Sequence, residues 1–197
     1  MKLDKKFLKK YLNSHSPVGF EYELGGQKLW MENIAQYANE VEIDNYGTAY
    51  GVMGNMDSDF KVVIEAHADE ISWLVNYIDS KGFIRVIRNG GSDAQIAPSM
   101  RVNVWGSKGP VSGVFGHPAI HIHDRAKDIT LDSIFVDVGA STKEEVIEMG
   151  INVGTVITFT DGLMELGNDF YCGRALDNRI GGFMISEVAR KLKENKI

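Results

Sequence analysis

The chain predicts an α/β domain interrupted by a smaller, β-rich domain. Three observations carry this expectation. Apolar residues recur at helical spacing in the first and last stretches. Short strand-like segments separated by turn residues fill the middle. Between them Val62, Val63 and Ile64 read as a buried strand that runs straight into His67-Ala68-Asp69-Glu70.

Taken in order, Leu3, Phe7, Leu8, Tyr11 and Leu12 make one apolar stripe, stopped by Ser16-Pro17-Val18-Gly19. Lys2, Lys5, Lys6, Lys9 and Lys10 alternate with that stripe and read as a solvated helix face. Gly25-Gly26 opens a second helix carrying Leu29, Trp30, Ile34 and Tyr37. Residues 41–44 and 48–53 form a hairpin across Asn45-Tyr46-Gly47. The strand ending at His67 follows.

From about residue 72 the texture changes. Segments 73–78, 83–87, 100–105 and 111–116 alternate with turns such as Asp79-Ser80-Lys81-Gly82 and Gly106-Ser107-Lys108-Gly109. This spacing predicts a small β barrel or sandwich. A loop at 117–128 leads to a strand at 134–138, then to a short helix with Ser141 and Glu144 as its capping box and Gly150 as its stop. Segments 156–160 and 170–173 complete the β-rich part. The last element is a helix over 178–195, on which Ile180, Met184, Val188 and Leu192 recur every four residues, with Arg190, Lys191, Lys193 and Lys196 where the helix dipole favours cations.

The 197 residues are 44% apolar and 24% charged, ample for a core, and the formal charge of -6 argues against a dedicated nucleic-acid binder. Cys172 is the only cysteine, so a disulfide framework and a thiolate metal cluster are excluded; the residue reads as small and buried. No apolar run is long enough to cross a bilayer and no signal peptide opens the chain, which predicts a cytoplasmic protein with no membrane partner.

Two places could carry chemistry. In an α/β sheet, ligands collect at the carboxyl ends of strands. His67 stands there with Asp69 two residues on: one ring nitrogen can face a metal while the carboxylate holds the other. The alternative is an exposed His and Asp at a strand end. Asp177 starts the last helix, where it could be a plain N-cap or a ligand. His121 and His123 could share a strand face, but only Asp124 offers a further donor, and Pro118, Asp124 and Arg125 mark a loop. His15, just past a helix end, reads as a surface residue. Neither a phosphate loop nor a G-x-S-x-G nucleophile elbow occurs.

Together these segments resemble the cocatalytic dinuclear-metal aminopeptidases of the glutamyl and deblocking type, which form tetrahedral particles and are sometimes labelled endoglucanase. Ser16-Pro17-Val18-Gly19-Phe20-Glu21 is similar to the family's P-S-G-x-E turn, and Asp44-Asn45-Tyr46-Gly47 to its D-x-x-G hairpin. His67-Ala68-Asp69-Glu70-Ile71 resembles its H-x-D-E-I metal motif. Gly90-Gly91-Ser92-Asp93, Met100-Arg101-Val102, residues 111–121 and the stretch from Phe135 to Ser141 follow the inserted β domain. Arg174-Ala175-Leu176-Asp177-Asn178-Arg179 is similar to the A-L-D-[DN]-R segment. Each match is weak alone; their shared order is specific.

The resemblance implies a metallopeptidase α/β sandwich domain at 1–72 and 163–197, with a β-barrel dimerisation and assembly domain inserted at 73–162. It implies two divalent metal ions, zinc or cobalt, with His67 ligating one and Asp177 bridging both, while Asp69 orients the His67 ring. A peptide would be the substrate, its N-terminal residue removed through metal-activated water. The homo-oligomer would be dimer-based, up to a tetrahedral dodecamer. The family also has a Glu-Glu pair, one the general base and the other a ligand, beyond the Asp177 segment, followed by an Asp and a His. Those residues are not in this sequence: Glu187 and Glu194 lie on the last helix, and Glu70 occupies a different motif position. With two of five implied ligands and no base, the 197 residues alone are expected to bind metal weakly and to lack appreciable activity. Two other readings are a non-catalytic assembly form and a related metal-dependent amidohydrolase or deacylase. An endoglucanase would need aromatic sugar platforms that are not evident.

Overall fold

Asp4 begins the first helix by accepting a hydrogen bond from Phe7 N at 2.9 Å. In this computed structural model, which describes residues 3–119, 121 and 128–196, α1 spans Lys5–Asn13. Its stripe of Phe7, Leu8, Tyr11 and Leu12 is buried, and its lysines face solvent as expected. Helix α2 spans Gly26–Ile34 and buries Trp30 and Ile34. Strands β1 (Glu40–Ile43) and β2 (Ala49–Val52) pair antiparallel as the predicted hairpin. Asp44 organises its turn by accepting from Tyr46 N and Thr48 N, each at 2.9 Å, and Gly47 supplies the positive φ of +92°.

The chain divides into two compact units, Met1–Glu70 with Gly162–Ile197, and Ile71–Asp161. Within the second unit lie β3 (Ser72–Ile78), β4 (Ile84–Asn89), β5 (Arg101–Gly106), β6 (Gly109–Gly116), β7 (Phe135–Asp137), the short helix α3 (Lys143–Glu148) and β8 (Val156–Phe159). The six strands close a barrel in the order β3-β4-β7-β6-β5-β8, every neighbour antiparallel. Spacing alone left barrel and sandwich open; closure removes every strand edge. Trp73, Val102, Val104, Ile134, Val136 and Ile157 fill the interior, with Phe115 edge-on to Trp73 at 5.2 Å. Gly116 has a steric reason: a Cβ there would sit 2.4 Å from the Phe135 ring.

The first unit resumes with β9 (Met164–Leu166) and β10 (Phe170–Cys172), an antiparallel hairpin, and ends in α4 (Leu176–Glu194). Its core joins Phe7, Tyr11, Trp30, Ile34, Phe183 and Ala189. Trp30 Nε1 donates to the Gly182 carbonyl at 2.8 Å, and a Cβ at Gly182 would sit 2.7 Å from the Tyr11 hydroxyl oxygen.

Four expectations need correction. Val62, Val63 and Ile64 are not a buried strand: they are 70%, 85% and 55% exposed and lie in backbone without strand pairing. A strand exists only through its neighbours, and among the described residues none pairs with this run. The cap of α3 lies one residue later than expected, because Thr142 Oγ1 accepts from Glu145 N while Glu145 reaches back to Ser141 N. Cys172 is exposed, since β10 turns Tyr171 inward instead. The Met184 and Val188 face of α4 is exposed, whereas Gly182, Ser186 and Ala189 are buried. Small side chains there allow the neighbouring helices to approach closely. Among the described residues, no helix is long and apolar enough to cross a membrane.

Candidate metal centre

The segment after residue 59 arrives at His67 in irregular backbone, then locks at Glu70. Glu70 N donates to Ser16 O at 2.8 Å and Val18 N donates to Glu70 O at 3.2 Å, a short parallel bridge beside Pro17. The Glu70 side chain is buried: one oxygen accepts from Ser16 N at 2.7 Å and the other from Arg174 Nη1.

His67 stands between two carboxylates. Its Nδ1 is 3.1 Å from Asp69 Oδ1, and its Nε2 is 3.1 Å from Asp177 Oδ1. Residues 110 apart in sequence are thus brought into contact. Asp177 is not the N-cap of α4. That place belongs to Ala175, at φ +60°, and no side chain caps the helix. Asp177 itself has non-helical dihedrals (φ -93°, ψ 106°), a cis peptide to Asn178, and a side chain 96% exposed. Its carboxylate lies 3.1 Å from His67 Nε2 and makes no cap bond to the helix.

Two arginines hold the ground beneath this triad. Arg179 is fully buried, donating to Tyr11 O at 2.7 Å, Ser14 O at 2.8 Å and Ser14 Oγ at 3.1 Å, with its guanidinium 5.1 Å over the Tyr11 ring. Arg174 donates to Asn13 O at 3.0 Å and Ser14 O at 2.8 Å besides its pairing with Glu70. The cations thus supply donors to the carbonyls of Asn13 and Ser14 at the end of α1 and a further donor to Tyr11 O, which also accepts from Ser14 N and Oγ. Burial pushes the Tyr11 phenol up to about 12, against the opposing pull of Arg179. Burial, then Arg174, then Arg179 drive His15 down to about 3, so this residue is a half-buried neutral base and not the surface histidine expected. Nothing in spacing or periodicity marks the two arginines as buried; their placement on either side of Asp177 is the one available sign.

Residues 47–197 match the family model described as M42 glutamyl aminopeptidase. The chain belongs to that family. Among relatives, the lysyl aminopeptidase of Pyrococcus furiosus is 34% identical, over 98% of this chain and 56% of its own length. The TET aminopeptidase of a marine-sediment Thaumarchaeota archaeon superposes with a TM-score of 0.90 at 28% identity, covering 98% of this chain and 55% of that one. The Pyrococcus horikoshii TET1 peptidase, described as able to assemble into a tetrahedron or a large octahedral shell, superposes at 0.85 with 25% identity, over 97% and 57%. The chain spans about half the length of the curated relatives it matches.

For an M42 family member the question is whether these side chains suit a divalent cation. The donor chemistry does. If Nδ1 carries the proton that Asp69 accepts, the Nε2 lone pair faces the Asp177 carboxylate across 3.1 Å. In the other tautomer the same 3.1 Å contact is a direct Nε2–H···Oδ1 hydrogen bond, and it is also a separation that two ligands of one cation, each about 2.0–2.2 Å from it, can have. The number of donors is short: among the described residues no group of three or more His, Cys, Asp or Glu side chains is arranged to hold a metal. Glu70 is engaged at both oxygens, and Glu187 is paired with Arg190, so neither is an idle carboxylate. His121 is exposed, while His123 and Asp124 lie outside the described residues.

Proposed function

We propose that this chain contributes the first metal-binding elements of an aminopeptidase that removes N-terminal residues from peptides. The observation that carries the reading is the alignment of Asp69, His67 and Asp177 through two 3.1 Å contacts. In this reading His67 and Asp177 would hold the divalent ions, and Asp69 would fix the His67 ring by accepting from Nδ1–H. The two divalent ions, zinc or cobalt, would supply Lewis acidity at the peptide carbonyl, acidify the attacking water and hold the free amino end. The residues themselves set where that chemistry happens: Asp69 holds the ring at Nδ1, and the exposure of Asp177 leaves its second oxygen accessible.

Among the described residues Glu70 and Glu187 are already engaged, so neither is free to serve as the general base. The 197-residue chain is accordingly expected to bind zinc or cobalt weakly, to lose that binding in His67→Ala and Asp177→Ala, and to hydrolyse no aminoacyl substrate appreciably. Calorimetric titration and an aminopeptidase assay with added metal check both parts. Clear turnover by the chain alone would overturn the expectation that it lacks an effective general base. Metal binding unchanged in His67→Ala would overturn the site.

We also infer that the protein is a homo-oligomer assembled through the barrel unit. Support comes from the Pyrococcus horikoshii TET1 peptidase, described as able to assemble into a tetrahedron or a large octahedral shell, and from a barrel that is a compact unit in its own right.

A further inference from the structure

The proposed ligands are poorly held by their own surroundings. His67 is 51% exposed, Asp177 is 96% exposed, and no helix-capping bond restrains the latter. Exposed side chains on irregular backbone do not keep a fixed separation unless something beneath them does. Three residues after His67 comes Glu70; three residues before Asp177 comes Arg174, and two after it Arg179. All three are at least largely buried, and Glu70 is bonded to Arg174.

Each of them is anchored at the same place. Arg174 reaches Asn13 O and Ser14 O, Arg179 reaches Tyr11 O, Ser14 O and Ser14 Oγ, and Glu70 takes the amide of Ser16. Both guanidinium groups meet on the Ser14 carbonyl at 2.8 Å. The turn after α1 is therefore a common abutment for the irregular segment that carries His67 and the segment that carries Asp177. Resting on the metal-site reading above, we propose that Glu70 and Arg174, backed by Arg179, are positioning residues that set the His67–Asp177 separation.

Stability alone is a weak reason for this arrangement. A buried ion pair often does no better for stability than packed apolar residues, while its planar hydrogen-bond fork fixes direction and distance. Arg174 makes its bonds to Glu70, Asn13 and Ser14 with two guanidinium nitrogens. A lysine keeps the charge but concentrates it on one nitrogen and cannot span the same acceptors in the same plane.

The test needs no metal and no turnover. In the metal-free chain at fixed pH, Asp177→Asn should shift the ¹⁵N resonance of His67 Nε2, because the two are in contact. In an Arg174→Lys background the same Asp177→Asn change should leave that resonance unmoved, while the thermal midpoint stays within a few degrees of the parent. Should Arg174→Lys fail to fold, Glu70→Gln, which keeps the amide bond to Ser16 but removes the charge, serves as the background with the same expectation. An Asp177→Asn shift of equal size in the parent and in the folded background would overturn the positioning role and leave the site intact. Absence of any shift in the parent would instead overturn the His67–Asp177 contact on which the site itself rests.

Discussion

His15 is the residue whose environment has the clearest consequence in solution. Burial, reinforced by the Arg174 and Arg179 cations, lowers its pKa from 6.5 to about 3. The unfolded chain therefore takes up a proton on His15 well before the folded chain does as the pH falls. Its contribution to stability is fully present above about pH 6.5, drains away as the pH drops towards 3, and levels off below that. His15→Gln removes the titrating group, so the variant should lose less stability than the parent between pH 7 and pH 4. Urea midpoints at pH 7, 5 and 4 give the comparison, and parallel pH dependences would rule out this role. At this scale the sequence shows residue types but not company. His67, Asp69 and Asp177 were visible as candidates because an imidazole after an apolar run and an acid at a helix start are unusual places for such groups. The contact between His67 and Asp177 bridges 110 residues and follows from no local pattern. Arg174 and Arg179 carry no local sign of burial because arginine is ordinarily a surface residue, and it is the carbonyls ending α1, the Glu70 carboxylate and the Tyr11 ring that make their burial tolerable.

Elements were legible wherever local chemistry determines them. The stripe of α1, the Asp44 turn between β1 and β2 and the Gly150 stop after α3 each depend on a few neighbouring residues. The face that α4 buries did not follow from its apolar repeat, because the partners of α4 select small side chains at Gly182 and Ser186. The run from 62 to 64 marks the same limit more sharply. β-Branched residues favour a strand, yet without a paired neighbour they remain exposed apolar groups. Here Val63→Lys separates the two environments. At 85% exposure, the substitution in the 197-residue chain should change unfolding free energy by no more than about 0.5 kcal/mol. It should also reduce concentration-dependent association, measured by light scattering, by charging an apolar run that could otherwise template pairing between chains. A loss of about 3 kcal/mol or more would mean that the run is packed inside a sheet after all.

At the scale of the whole chain, the sequence interruption between the two parts of the first unit makes physical sense from the barrel alone. Its first strand β3 and its last strand β8 are neighbours, with Trp73 opposite Ile157 and Leu74 opposite Val156. A domain that begins and ends on adjacent strands can be inserted into another with its two ends close together. Closure also means that the barrel needs no edge partner, and its core of Trp73, Phe115, Ile134 and their neighbours is drawn from residues 71–161 alone. A fragment comprising residues 71–161 should therefore fold by itself and unfold in one cooperative transition, detected by the near-ultraviolet circular dichroism of its tryptophans. Trp73→Ala should cost it about 3–5 kcal/mol, enough to remove most of the stability of so small a domain. If the inferred assembly role resides in this unit, sedimentation of the parent fragment should show self-association that rises with concentration. A fragment that folds but stays monomeric throughout would separate the architecture from the proposed assembly, keeping the first and discarding the second. A fragment without a cooperative transition would show that the barrel draws its stability from the remainder of the chain.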